Sequence, residues 1–278
     1  MLELDGSSGG GQLVRTALAL SALSGTPFRM EGIRGGRPQP GLRPQHLAAI
    51  ELVTDVAAAE VSGASIDSDE LEFDPGELRP GRYDADIGTA GSVTLLFDAV
   101  VPLAVALDGR LEVQVTGGTD VRWSPTFDYY RRIKLPLLRR LGVDVAVDLD
   151  GRGFYPAGGG RATLWLGPST PDSLSLYSRG PLLGARVYSV ASTDLADRDV
   201  AERQADSAVD GIDDLGLDVV ERTVQYADAR STGTAVAIRL DSEEAIAGFD
   251  AIGERGKPAE TVAGDAVERA RSFADSAA

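Results

Sequence analysis

One arrangement of segments occurs twice before residue 150 of this chain. A short strand leads into a glycine-rich loop, a helix, a second strand, a second helix and a closing strand. The predicted strands lie near residues 2–5, 28–33 and 71–73 in the first copy, and near residues 83–87, 111–116 and 143–148 in the second. Helices with one apolar face must bury that face against neighbouring strands. The repeat therefore predicts an α/β fold built from βαβαβ modules.

The rest of the chain predicts a third, interrupted module. A glycine-rich loop at residues 156–160 precedes a strand at residues 162–166 and is expected to open the third copy. A more acidic stretch with its own strand–helix alternation follows. We therefore predict a large domain over residues 1–178 and 253–278, whose third module is incomplete, and a small α/β insert domain over residues 179–252.

Composition limits the chemistry that the chain can perform. The net charge is −16, and acidic residues occur in nearly every segment, which favours a protein from a salt-loving organism because salt screens the self-repulsion. Cysteine is absent, which excludes disulfides and thiolate sites, and a single histidine makes a zinc site unexpected. No apolar stretch is long enough to span a bilayer, and the N-terminus does not resemble a signal peptide. The cytoplasm is the expected location.

Residues 1–50 are an exception to this acidity. They contain five arginines against three acidic residues, a local charge of +2. Arg15 lies about one turn into the helix that follows the glycine triplet at residues 9–11, and Arg34 and Arg37 follow on the next loop. Backbone N–H groups at a helix start and arginine guanidinium groups both bind phosphate. These segments together predict a phosphate-binding surface, although each glycine loop alone is also consistent with a tight turn.

Other candidate residues have two readings each. The only histidine, His46, lies on the first turn of a predicted helix, where a structural role is favoured over a catalytic one. Trp123 and Pro125 offer a face on which a base can stack, but core packing explains Trp123 equally well. Glu260, on the first turn of a late helix, can bind a ribose or simply favour the helix start.

These segments closely resemble the RNA 3′-terminal phosphate cyclase family. The matching segments are residues 4–7, 9–15, 33–37, 40–47, 87–92, 117–120, 153–160 and 253–257. They cover almost the whole chain in the expected order. The resemblance implies repeated α/β modules, of the kind also found in enolpyruvyl transferases, with a small α/β insert in the third module.

The resemblance also implies a reaction. Members use ATP and a divalent metal ion, Mg²⁺ or Mn²⁺, to adenylylate a histidine, and they pass AMP to the 3′-phosphate of an RNA. The neighbouring 2′-hydroxyl then attacks, which gives a 2′,3′-cyclic phosphate and AMP. By position, the resemblance implies a set of residues that binds phosphate, ATP and RNA, with Pro125 stacking on adenine and Glu260 near the ribose. The set is Gln12, Arg15, Arg34, Arg37, Gln45, Asp98, Pro125 and Glu260.

Three departures from the family pattern limit what the resemblance implies. Ser8 stands where the family has a glutamate, and Asp98 where it often has a glutamine. The nucleophilic histidine of the family belongs to a His-x-x-Asp-Gln segment that this sequence does not contain, and His46 occupies a different position. We therefore expect a family member that lacks its C-terminal part and does not complete the adenylylation. The alternatives are a non-catalytic, cyclase-like RNA or ribosome-biogenesis scaffold and, more weakly, a small-molecule transferase.

Overall fold

The computed structural model describes residues 1–276 and divides them into two compact units. The first unit contains Met1–Gly117, Gly142–Asp148 and Ala162–Pro171. The second unit contains Gly118–Leu141, Leu149–Arg161 and the chain from Asp172 onward. The predicted insert domain over residues 179–252 lies within the second unit, and its independence from the rest of that unit stays a prediction.

The first sheet has four strands and belongs to the first unit. The strands are β1 (Leu2–Asp5), β2 (Phe28–Glu31), β3 (Glu60–Ser62) and β4 (Leu71–Asp74). They lie in the order β1-β2-β4-β3, with β1 parallel to β2 and β4 antiparallel to both neighbours. Two helices, α1 (Gly11–Ser24) and α2 (Pro44–Val56), connect the strands. Phe28 and Phe73 stack in the core with ring centroids 5.8 Å apart.

The second sheet repeats the strand order of the first. Its strands are β5 (Gly81–Asp86), β6 (Leu111–Gly117), β7 (Val145–Gly151) and β8 (Gly160–Leu166). They lie in the order β5-β6-β8-β7, which confirms the predicted repeat. The prediction for β8 was wrong, because this strand completes the second sheet and does not open a third module. Leu164 and the residues two positions before and after it are buried, as expected for a strand in the interior of a sheet.

Two prolines shape the helices of the second module. The helix predicted over residues 93–107 is an α-helix only as α3 (Val93–Val100) and continues as a 3₁₀ turn over Val101–Val105. Pro102 in that turn has no N–H with which to continue an α-helix. The next helix begins as α4 (Phe127–Tyr129), passes through a π turn at Tyr130–Lys134 and continues as α5 (Leu135–Arg140), which has Pro136 in its first turn.

The third sheet and its two helices belong to the second unit. The strands are β9 (Leu182–Ser192), β10 (Val219–Ala227), β11 (Thr234–Ser242) and β12 (Ile246–Ile252), and the helices are α6 (Val200–Asp213) and α7 (Ala259–Ala274). The strand order is β10-β9-β11-β12. Buried alanines such as Ala205 and Ala266 line the helices where they pack against Val187 and Ile238 of the sheet. Small side chains allow helices to approach a sheet closely.

The described residues confirm the predicted fold class. They form three mixed four-stranded sheets and seven α-helices. Two strands were not predicted, β3 and β12. β3 is three residues long and fully exposed, so it has no apolar periodicity, and β12 contains glycine and aspartate within its seven residues. Within residues 1–276, none of the helices combines the length and apolarity that crossing a bilayer requires.

Candidate anion-binding site

The glycine-rich loop at residues 6–10 and the arginine loop at residues 34–37 form one backbone-bonded structure. Arg34 N–H donates to the carbonyl of Gly6 at 3.1 Å, and Gly36 N–H donates to the carbonyl of Ser7 at 2.9 Å. Gly10 precedes α1, and no side chain within residues 1–276 caps the start of that helix. Leu13 N–H donates to the carbonyl of Gly10 at 3.2 Å, which leaves the earlier N–H groups of α1 for an anion. The positive end of the helix dipole favours such an anion.

Two glycines allow cationic and polar side chains to reach the start of α1. A Cβ atom on Gly10 would lie 3.1 Å from Nη2 of Arg37 and 2.6 Å from Oε1 of Gln12. A Cβ atom on Gly11 would lie 2.1 Å from Nε2 of His46. The contact with the His46 ring is too short for any other residue at position 11, whereas the flexible ends of Arg37 and Gln12 could move away from a Cβ atom at position 10. The structure therefore brings Gln12 and Arg37 together at the glycine loop.

The guanidinium groups of Arg34, Arg37 and Arg43 lie close together. Arg34 adopts a left-handed backbone conformation, with φ of 57°, and its Nη1 donates to the carbonyl of Gly41 at 2.7 Å. Burial lowers the pKa of Arg34, and repulsion from Arg43 and Arg37 lowers it further. Arg43 pairs with Asp67 at 2.7 Å, whereas neither Arg34 nor Arg37 forms an ion pair with any residue in the described part of the chain. A bound anion would relieve this repulsion.

His46 is a structural residue at the start of α2. Its Nδ1 accepts a hydrogen bond from the backbone N–H of Arg43 at 3.0 Å and so caps the helix. The proton of the neutral ring is therefore on Nε2, the atom that faces Gly11. Burial, together with the positive charges of Arg34, Arg15 and Arg43, lowers the pKa of His46 to about 4. The ring is neutral at physiological pH.

This depressed pKa predicts a loss of stability in acid. Below about pH 6.5, the histidine of the unfolded chain binds a proton that the folded chain does not bind until about pH 4. His46→Asn keeps an acceptor for the Arg43 N–H but does not titrate. Between pH 7 and pH 5, we expect the free energy of unfolding to fall by about 2 kcal/mol less in the variant than in the wild type. Denaturant unfolding at both pH values measures the difference, and parallel pH dependences would refute it.

Arg15, Gln12 and Asp98 line a small hollow of about 210 Å³ between α1 and α3. Burial lowers the pKa of Arg15, and the nearby carboxylate of Asp98 opposes that effect. Arg34, Arg37 and Gln45 do not line this hollow. Oε1 of Gln45 instead accepts a hydrogen bond from the N–H of Ser92, at 3.3 Å, immediately before α3. Gln12 and Arg37 therefore lie at the start of α1, whereas Gln45 contacts the start of α3, and the predicted residues of the first unit do not all face one cavity.

The last two predicted residues lie in the second unit. Pro125 lines a cavity of about 380 Å³ together with aromatic, acidic and basic side chains. Glu260, in the first turn of α7, pairs with Arg203 of α6 through two hydrogen bonds of 2.8 and 2.9 Å. Glu260 does not line that cavity. The ribose-binding role of Glu260 stays a prediction.

A buried ion network supports the loop that carries Pro125. Nη1 of Arg152 donates to Asp120 at 3.0 Å and Nη2 donates to Asp128 at 2.5 Å. All three side chains are at least nine-tenths buried. Burial alone would raise the pKa of Asp128, but Arg152 and Arg131 outweigh burial and hold it below the ordinary value. The segment containing Asp120 was identified from the sequence, but Arg152 and Asp128 were not.

The described residues contain no cluster of three or more histidine, cysteine, aspartate or glutamate side chains arranged to hold a metal ion. Asp98 is the one acidic side chain in the lining of the 210 Å³ hollow. Arg43 and His46 belong to the arrangement around α1 but were not among the predicted binding residues. The sequence pattern that could have identified them is the segment 40–46, where a proline–glycine turn leads directly into a helix.

The repeated modules make this an α/β protein. Guanidinium groups beside a helix start that no side chain caps form a surface suited to phosphate groups. The family model described as RNA 3′-terminal phosphate cyclase matches residues 7–244. The chain belongs to this family. It is 44% identical to an RNA 3′-terminal phosphate cyclase of Halobacterium salinarum, over 98% of this chain and 81% of the relative. It is 40% identical to the RNA 3′-terminal phosphate cyclase of Saccharolobus solfataricus, over 97% of this chain and 80% of the relative. It is 39% identical to that of Pyrococcus furiosus, over 96% of this chain and 78% of the relative.

Proposed function

We propose that this chain carries the phosphate-binding surface of an ATP-dependent RNA 3′-terminal phosphate cyclase. The observation that supports this proposal most directly is the position of Arg34 and Arg37. The guanidinium group of Arg37 lies at the glycine loop. Arg34 bonds to that loop through its backbone N–H, and Arg43 and Arg37 repel its guanidinium group. Neither arginine forms an ion pair within residues 1–276. In a chain of net charge −16, such cations are suited to an external anion.

The cyclase reaction requires stabilisation of negative charge on phosphorus. ATP transfers AMP to the protein and releases pyrophosphate. The RNA 3′-phosphate then displaces the protein from AMP, and the 2′-hydroxyl displaces AMP from the 3′-phosphate as the ring closes. Charge develops on phosphate oxygens in each step, and donors already fixed in position stabilise it. In our proposal Arg34, Arg37 and the N–H groups of α1 bind one phosphate, and Arg15 with Gln12 binds another.

The residues also fit the nucleotide and the divalent cation that the family implies. The hollow beside Arg15 contains a single carboxylate, that of Asp98. Mg²⁺ usually binds one or two carboxylates together with the phosphates of a substrate. Such a cation would neutralise charge on the phosphates. We propose Asp98 as its protein ligand. The adenine contact that the resemblance implies for Pro125 stays a prediction.

We further propose that residues 1–278 do not contain the nucleophile. His46 is the only histidine of this sequence, and its ring caps α2. Its Nδ1 is occupied by the Arg43 N–H, and its Nε2 lies against Gly11. Neither nitrogen is arranged for attack on a phosphorus atom.

Two measurements on the 278-residue chain test the proposal. The first is fluorescence polarisation with a 5′-labelled RNA oligonucleotide that ends in a 3′-phosphate, compared at the same KCl concentration with the same oligonucleotide ending in a 3′-hydroxyl. We expect the phosphorylated end to bind about tenfold more tightly, since charged hydrogen bonds contribute about 1.5 to 3 kcal/mol each. The second is incubation with Mg²⁺ and ATP labelled in its α-phosphate, from which we expect no acid-labile protein–AMP adduct.

The other outcomes separate the alternatives. Equal affinity for both RNA ends would refute the phosphate-binding surface and favour the cyclase-like scaffold, for which the replacement of the family glutamate by Ser8 is the supporting observation. A stoichiometric AMP adduct would refute the proposal that residues 1–278 do not contain the nucleophile. Binding of a phosphorylated metabolite, with no binding of either RNA end, would favour a small-molecule transferase.

A further inference from the structure

Trp123 is the feature of the second unit that neither the fold nor the proposed chemistry explains. Its side chain is 93% exposed, which excludes the core-packing role considered from the sequence. Its backbone is left-handed, with φ of 62°. This conformation costs a non-glycine residue about 1 to 2 kcal/mol. Strained backbone conformations of this kind cluster at ligand-binding sites, which makes Trp123 a candidate functional residue.

The residues on either side of Trp123 hold it in place. Asp120, fixed by Arg152, accepts a hydrogen bond from the N–H of Phe127 at 3.0 Å. The N–H of Thr126 donates to Oδ2 of Asp250 at 2.7 Å. The exposed ring therefore projects from a segment that is hydrogen-bonded at both ends. Its exposure is part of an ordered arrangement, because the buried ion network fixes the base of the loop.

The surroundings of Trp123 combine aromatic and cationic groups. Trp123 borders the 380 Å³ cavity, whose lining includes Tyr129, Phe249 and Arg269. On the other side of Trp123, Arg122 pairs with Glu254 of the loop at residues 253–257.

The next residue of that loop adds a cation. Arg255 is exposed and forms no ion pair with any of residues 1–276. Aromatic faces beside such cations bind single-stranded nucleic acid, because bases stack on the rings and phosphates are attracted to the cations.

We propose that Trp123 is a stacking platform for a nucleobase of the single-stranded RNA substrate. The inference rests on the proposed function, which makes RNA the substrate. RNA fits better than ATP because Trp123, although it lines the cavity, is 93% exposed. A chain that passes along the surface can cover it, whereas a nucleotide held within the cavity would not need so exposed a ring. Arg255 then lies beside the phosphodiester backbone.

The two tryptophans of the chain allow a direct test. Trp165→Phe leaves Trp123 as the only tryptophan, and Trp123→Phe leaves only Trp165, which lies in β8 of the first unit. Each variant is titrated with unlabelled RNA ending in a 3′-phosphate while tryptophan emission is recorded, and RNA binding is measured separately by polarisation. We expect the emission of Trp123 to be quenched with the same midpoint as binding and the emission of Trp165 to stay constant.

We expect Trp123→Ala to weaken RNA binding about tenfold and Trp123→Phe to retain most of it.

The outcomes distinguish this proposal from the one on which it rests. RNA binding by the wild type without quenching of Trp123, or with unchanged affinity in Trp123→Ala, refutes the stacking platform and leaves the cyclase proposal intact. Quenching by ATP but not by RNA also refutes it. If the wild type binds no RNA, both proposals fail. Circular dichroism of Trp123→Ala checks that the exposed substitution leaves the fold unchanged.

Discussion

Arg152→Met is expected to lower the free energy of unfolding by about 3 to 5 kcal/mol at pH 7. Arg152 is 1% exposed in its side chain and lies between two buried carboxylates, Asp120 and Asp128. Methionine fills a similar volume but leaves Asp120 without a cation and Asp128 with only Arg131. The loss is a large part of the stability of an ordinary domain. Denaturant unfolding followed by circular dichroism measures it.

The pH dependence and a matched variant make this prediction specific. In the wild type, the pKa of Asp128 is lowered, so its contribution to stability is lost as pH falls through that pKa. Without Arg152, only Arg131 opposes the effect of burial, so the pKa of Asp128 should rise and the variant should lose less stability than the wild type as pH falls from 7 toward 5. Arg131→Met removes a partner of the same carboxylate at a more exposed position, 29% exposed, and should cost less than about 1 kcal/mol. Equal losses in the two variants would contradict the buried network.

Arg15→Gln is expected to weaken binding of a 3′-phosphorylated RNA by about 100-fold. A guanidinium group that forms paired hydrogen bonds with phosphate contributes about 1.5 to 3 kcal/mol, and tenfold in affinity corresponds to about 1.4 kcal/mol. We expect a loss near the upper end of this energy range, because Arg15 also offsets the negative charge of Asp98 in the same hollow. Without Arg15, that carboxylate would repel the bound phosphate. Fluorescence polarisation at constant KCl measures the change.

Arg29→Gln is the control for this substitution. Arg29 also belongs to the arginine-rich first 50 residues, but it pairs with Glu31 and Glu70 at 3.0 Å and with Glu72 at 3.7 Å. Its charge is already neutralised on the face of the first sheet, so RNA affinity should change less than twofold. If Arg15→Gln binds as tightly as Arg29→Gln, Arg15 has no role in phosphate binding.

Local features of the fold and site were predictable from the sequence. Each strand–loop–helix segment has its own periodicity and turn residues, so the two modules and the glycine loop before α1 are encoded within a few residues. The clustering of Arg34 and Arg37 near that loop follows from the repeat, because the first two strands of a module are neighbours and the loops after them meet at one edge.

The features that were missed depend on contacts between distant residues. β8 reads as the start of a new module because it follows a glycine loop, and only its pairing within the second sheet shows that it completes the old one. The network of Asp120, Asp128 and Arg152 joins residues 24 and 32 positions apart, and no local pattern marks an arginine as buried. Similarly, nothing in the sequence distinguishes an exposed Trp123 from one in the core.

The repulsion among Arg34, Arg37 and Arg43 has a thermodynamic consequence for the whole first unit. A fold that keeps like charges together gives up some conformational stability, and a ligand that neutralises them returns it. Occupancy and folding are then linked equilibria, and each tenfold rise in ligand concentration above the dissociation constant adds about 1.4 kcal/mol of stability. An anionic ligand bound at these arginines would therefore also protect the first unit against unfolding.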